Sequence, residues 1–134
     1  MQDVGLSIKR AQHRHHRAVD ASLAPLGISL VQWDALRHLS RNPEASMHDL
    51  AQLTFQSDQA FGTLAARLVE RGLIERVTGP GRAIRHRLTE RGTELLEQGG
   101  GLVDQVLANS FAGLSARQLD QLGGLLDRML TEPD

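Results

Sequence analysis

The chain has 134 residues, enough for one domain with a real core and too few for two large ones. It contains no cysteine, which excludes a disulfide framework, a thiolate metal site and a thiol redox switch. The net charge of −1 is unevenly spread: residues 57–92 carry seven arginines against four acidic residues, and 93–134 carry two arginines against seven.

A basic middle with an acidic end fits a polyanion-binding module whose remaining part faces something else. No apolar run approaches the length that spans a bilayer, and the N-terminus lacks the apolar stretch of a signal peptide. The expectation is a cytoplasmic protein with no membrane partner. Tyrosine is absent and there is one tryptophan, little material for stacking single-stranded bases.

From about Leu6 to Leu23 the chain reads as a weakly amphipathic helix, with Ile8, Ala11, His15, Ala18 and Ser22 on one side. Such a segment is not stable alone and must pack on something. Pro25 and Gly27 end it. Ser29-Leu-Val-Gln32 is a capping-box pattern that opens a second helix, with Gln32, Ala35, Leu36 and Leu39 on one face and Trp33 at its border. Asn42-Pro43 ends that helix, because the residue before proline is pushed out of helical geometry.

Ser46-Met-His-Asp49 opens a short helix of about two turns, followed by the turn Thr54-Phe55-Gln56. Ser57 then stands as the N-cap of a longer helix whose Phe61, Leu64, Ala65 and Leu68 recur at i, i+3, i+4 and i+7. Gly72 lies just past its end, where a left-handed residue commonly stops a helix. A short helix, a tight turn and a longer helix with a polar outer face is the helix-turn-helix arrangement.

After Gly72 the period changes to two. Strands are predicted over 73–78 and 83–88, joined by the turn Gly79-Pro80-Gly81-Arg82. In the second strand Ile84, His86 and Leu88 alternate with Arg85 and Arg87, so the arginines share a face. Thr89 caps a long helix running from about Glu90 through Gly99-Gly100-Gly101 to about Ser110. Each glycine inside a helix costs about 1 kcal/mol relative to alanine, so the triplet predicts a kink, a break or a close backbone approach. Ser115-Ala-Arg-Gln118 opens a last helix with the stripe Leu119, Leu122, Leu126 and Met129.

The expected fold is mainly α (α+β), a winged helix-turn-helix with N- and C-terminal dimerisation helices. The winged lobe spans about 27–92 of a single domain over 1–134, with 1–26 and 93–134 as a helical dimerisation region. The outer helices have apolar stripes and no sheet or second domain to bury them against. A second copy of the chain is the economical solution.

A reader of double-stranded DNA needs hydrogen-bonding side chains on the outer helix face, amides and hydroxyls near phosphates, and cations at the periphery. Gln59 can pair bidentately with adenine, Thr63 can offer its hydroxyl or its methyl, and Arg67 can reach guanine or a phosphate. Ser46, Gln56 and Ser57 lie at helix N-termini, where amides and the helix dipole favour a phosphate. Arg82 at the hairpin tip suits a minor groove, and Arg85 would flank it on the backbone. Each has a plainer reading: Ser46 and Ser57 as ordinary caps, Arg67 in an internal ion pair, Arg85 and Arg87 as the charged face of an edge strand. Their joint placement favours the DNA reading.

The six histidines raise a metal-responsive regulator as an alternative, with His13 and His16 spaced i, i+3. No cysteine or metalloprotease pattern accompanies them, so no metal site and no cofactor are assigned. No nucleophile elbow, P-loop or dinucleotide fingerprint is present, and an enzyme is not expected. A winged-helix protein-interaction module without a DNA role is the other alternative.

The run from Leu50-Ala51 to Ser57, then Leu64, Arg67-Leu68, Arg71-Gly72-Leu73-Ile74-Glu75-Arg76, Gly81-Arg82 and Leu88-Thr89-Glu90-Arg91-Gly92, resembles the MarR family (multiple antibiotic resistance regulators). Gln32 and Leu36 of the preceding helix fit as well. The resemblance is close over about 28–92 and extends to the flanking helices in order and length. It implies an obligate homodimer with interlocked first and last helices, a repressor that binds pseudo-palindromic operators. It also implies a small aromatic or anionic effector, bound between the dimer and DNA-binding parts, that lowers DNA affinity.

By that likeness the helix from Ser57 is the recognition helix and Arg82 is the wing arginine. His16, Trp33, Arg37 and His38 are candidates for the effector pocket, with core packing the competing role for Trp33. Two departures stand out. The family's aspartate shortly before the wing arginine is replaced here by the stretch Gly79-Pro80-Gly81, and the position of Thr63 is often arginine in relatives.

Overall fold

The structure is a computed structural model and describes residues 1–78, 81 and 84–131. The elements in chain order are α1 (Gln2–Leu23), a 3-10 turn (Ala24–Leu26), α2 (Leu30–Arg41), α3 (Met47–Leu53), α4 (Asp58–Glu70), β1 (Ile74–Val77), β2 (Arg85–Leu88), α5 (Glu90–Ser110) and α6 (Ala116–Leu130). Helix α1 begins four residues before the predicted start, with Asp3 favourably placed in its first turn. Both strands are shorter than predicted. The turn predicted over 79–82 lies outside the described residues except for Gly81, and so does Arg82.

Local chemistry accounts for most boundaries. Ser29, Ser46 and Ser115 each form a capping box in which the serine hydroxyl accepts an amide N–H and the residue three positions on returns the bond. Helix α4 ends in a Schellman arrangement: the Leu73 N–H donates to the Leu68 carbonyl and the Gly72 N–H to the Val69 carbonyl, with Gly72 left-handed at φ 72°. Thr89 then locks this end to the next helix. Its hydroxyl donates to the Gly72 carbonyl at 2.6 Å and accepts the Gly92 N–H at 3.1 Å, while its own N–H donates to the Leu73 carbonyl at 3.0 Å.

The close backbone approach in this chain is at Gly92. A Cβ there would lie 1.9 Å from the Leu73 carbonyl oxygen. The Gly99–Gly101 triplet, by contrast, sits inside an unbroken α5. At Gly99 a Cβ would come within 2.6 Å of the Trp33 ring, so the approach is by a side chain, and the helix runs through it without a break. The Trp33 indole N–H completes the contact by donating to the Leu96 carbonyl at 3.1 Å.

The core joins every element except α6. Leu23, Leu36, Leu50, Leu68, Leu73 and Leu95 are fully buried, one or more from each layer of the helical packing. Burial of a leucine is worth about 1.5–3 kcal/mol, so this cluster is the main source of stability. Helix α6 presents Leu119, Leu122 and Met129 to solvent, with only Leu126 half-buried. Between α1, α5 and α6 runs an apolar groove of about 690 Å³ lined by Ile8, Val19, Val103, Phe111, Leu122 and Leu126 among others.

Candidate nucleic-acid interface

The buried stripe of α4 (Phe61, Leu64, Ala65 and Leu68) turns Gln59, Thr63 and Arg67 to solvent. These three line one open groove together with Gln56, Ser57 and the start of α2 at Ser29, Val31 and Gln32. Five of the eight sequence-predicted DNA residues are thus brought to a single surface. The Thr63 hydroxyl donates to the Gln59 carbonyl at 3.1 Å, so its oxygen remains free to accept.

The capping hydroxyls are occupied as acceptors. Ser57 Oγ accepts the Ala60 N–H at 3.1 Å, and Ser46 Oγ accepts the Asp49 N–H at 3.1 Å. The Asp49 carboxylate accepts the Ser46 N–H at 3.0 Å, and that backbone bond, followed by the Ser46 side chain, holds the Asp49 pKa below its ordinary 3.8. Ser46 caps α3 and is not part of the lining of the α4 groove.

The turn between α3 and α4 is closed by a bond from the Gln56 N–H to the Ala51 carbonyl at 2.9 Å. Phe55 occupies its left-handed position at φ 57° and is 98 % exposed, an uncommon setting for an aromatic residue. The turn was legible in sequence, whereas the conformation of Phe55 was not, because no glycine marks it.

The wing pairs β1 and β2 antiparallel with Ile74 opposite Leu88, Glu75 opposite Arg87, Arg76 opposite His86 and Val77 opposite Arg85. Both arginines on the outer face meet carboxylates. Arg87 Nε donates to Glu75 at 2.6 Å, and Arg85 Nε lies 3.8 Å from Glu44 on the loop between α2 and α3. Arg85 therefore stands half-buried against that loop. On the inner face His86 is only 7 % exposed and packs behind α4 at a small cavity that Gly62, Ala65, Ala66 and Arg76 also line. Burial pushes its pKa below 6.5, and the Arg76 charge across the strand adds to the effect.

Of the four effector candidates, His16 borders the apolar groove of α1, α5 and α6, whereas Trp33, Arg37 and His38 lie on α2 and are not part of that lining. His16 lies 3.2 Å from Asp20. Trp33 is packed into the space that Gly99 leaves, because its ring is drawn towards α5 by the Leu96 carbonyl. His38 Nδ1 donates to the Asp34 carbonyl at 2.8 Å, and Arg37 is half-buried on the same helix. No group of three or more His, Asp or Glu side chains comes together as a metal-ligand set among the described residues. Among them, too, no helix is long and apolar enough to cross a membrane.

The MarR family pattern matches residues 26–83. The chain is 31 % identical over 113 residues to the HTH-type transcriptional repressor Rv2887 of Mycobacterium tuberculosis, covering 83 % of this chain and 81 % of the relative. The solved structure of that MarR family protein in complex with DNA superposes with a TM-score of 0.80 at 28 % identity, covering 95 % of this chain and 97 % of the other. Its complex with p-aminosalicylic acid also gives 0.80 at 28 % identity, covering 95 % and 98 %. A mutant of MarR from E. coli complexed with operator DNA shares the fold, with a TM-score of 0.87 at 23 % identity over 96 % of this chain and 94 % of that one.

Proposed function

This chain belongs to the MarR family, and from that premise we propose that it is a ligand-responsive repressor whose homodimer binds a pseudo-palindromic operator. MarR-family regulators are DNA-binding proteins without enzymatic activity. The observation that carries the finer reading is the single exposed surface holding Gln56, Ser57, Gln59, Thr63 and Arg67, behind a short capped helix. In the major groove Gln59 reads adenine, Thr63 contacts a neighbouring base edge, and Arg67 reaches guanine or a phosphate. Ser46, Gln56 and Ser57 sit where helix N-termini meet phosphates.

Arg82 is the wing arginine for the minor groove, and Arg85 supports it on the backbone by exchanging Glu44 for a phosphate. The stripe on α6 and the groove beside it support a dimer built from α1, α5 and α6, which sets two α4 helices about one DNA turn apart. The complex of the relative with p-aminosalicylic acid supports a small aromatic acid as effector, in reach of His16, Trp33, Arg37 and His38.

Selection of the full chain against a randomised duplex library tests the reading. We expect enrichment of an inverted repeat, affinity that falls steeply with salt, and release by salicylate. Gln59→Ala is expected to cost about 1–3 kcal/mol and to flatten the preference at one position of each half-site. No enrichment over random duplex at moderate salt overturns it.

A further inference from the structure

One ion pair crosses the helix-turn-helix, and neither cap requires it. His48, the second residue of α3, donates from Nδ1 to Oδ1 of Asp58, the first residue of α4, at 2.8 Å. Their side chains are 62 % and 69 % exposed. Such a pair adds about 0–1 kcal/mol to stability, too little to account for it as a folding device.

Its position says more. Asp58 lies between the Ser57 cap and Gln59, at the end of α4 that carries the phosphate-facing amides in the reading above. A carboxylate there complements the helix dipole, and it also repels an approaching phosphate. The other charges near the pair are Asp49, on the same turn of α3 as His48 and engaged with Ser46, and Arg85, whose field reaches Asp49. Asp49 is thus already satisfied, whereas the Asp58 carboxylate has His48 as its one side-chain partner among the described residues.

We propose that His48 is a positioning residue for DNA binding, acting through Asp58. Its ring holds the carboxylate to the α3 side of the turn, and its Nδ1–H occupies the oxygen that would otherwise face an approaching phosphate. The inference rests on the assignment of α4 as the DNA-reading helix. No spacing motif links residues 48 and 58, which lie on different helices, so the pair is visible only in the fold.

The test is a double-substitution cycle on the full chain, with the duplex that the wild type enriches from a randomised library as probe. His48→Ala is expected to bind about five- to tenfold more weakly, because one carboxylate per half-site is freed to face the phosphates. Asp58→Asn should bind within about twofold of wild type or more tightly, and the double variant should return to the Asp58→Asn level. His48→Arg, which keeps a donor opposite Asp58, should restore affinity, and the His48→Ala loss should shrink as salt rises. Thermal midpoints should stay within about 2 °C throughout, since an exposed pair contributes little to stability.

Unchanged affinity in His48→Ala, or equal weakness of His48→Ala and the double variant, overturns the proposal. So does affinity that follows the thermal midpoint. If the wild type enriches no duplex at all, the DNA-reading role of α4 fails first and this inference goes with it.

Discussion

At the scale of single residues, the wing is governed by alternation. The period of two puts His86 inside and Arg85 and Arg87 outside, as the sequence pattern implies. Which carboxylates meet those arginines was not legible, because Glu75 is set by strand register and Glu44 by the packing of a distant loop. His86 has a measurable consequence. Its folded-state pKa is lowered, first by burial and then by Arg76, so the unfolded chain takes up the proton first as the pH falls. Stability is therefore full above about 6.5, declines as the pH drops from there towards the lowered folded-state value, and is flat below it. Thermal melts between pH 7.5 and 5.5 should show this decline in wild type and a shallower one in His86→Leu, about the one proton concerned. Equal slopes in the two proteins would refute the assignment.

At the scale of elements, the helices were readable because their ends are written locally. Capping serines, the Asn42-Pro43 stop and Gly72 act within a few residues of one another, and the structure places all of them as boundaries. Glycines with long-range reasons were not readable. Gly92 looks like an ordinary first-turn residue of α5, yet the Leu73 carbonyl occupies the volume of its missing side chain. Gly92→Ala should destabilise the fold by about 3 kcal/mol, because the obstacle is backbone held by Thr89 and cannot rotate away. Chemical denaturation measures this, and a midpoint equal to wild type would show that α5 slides freely on the end of α4. The Gly99–Gly101 run invited three explanations from sequence. The structure shows none of the three at Gly99 but a fourth, the ring of Trp33, whose indole bonds the Leu96 carbonyl 63 residues along the chain.

For the whole molecule, the apolar stripe of α6 and its want of a covering element were already legible in sequence, and among the described residues Leu119, Leu122 and Met129 stay exposed. The surface it shares with α1 and α5 carries Val4, Ile8, Leu119 and Leu122 in exposed positions. An assembly that buries them makes stability depend on protein concentration. The thermal midpoint should rise with concentration, and sedimentation should report twice the chain mass. Leu122→Asp combined with Leu126→Asp should halve that mass while the circular dichroism of the helices persists, and DNA binding should weaken with it. A wild-type monomer at micromolar concentration would rule this assembly out.

The chain has a single tryptophan and no tyrosine, and that tryptophan lies at the seam between α2 and α5. Its indole is hydrogen-bonded to one helix, belongs to the other, and has its ring edge against Gly99. Ultraviolet emission excited at the red edge of the absorption band therefore arises from this one seam. Any rotation of α2 relative to the long helix α5 would register there as a change in colour or intensity, with no label attached.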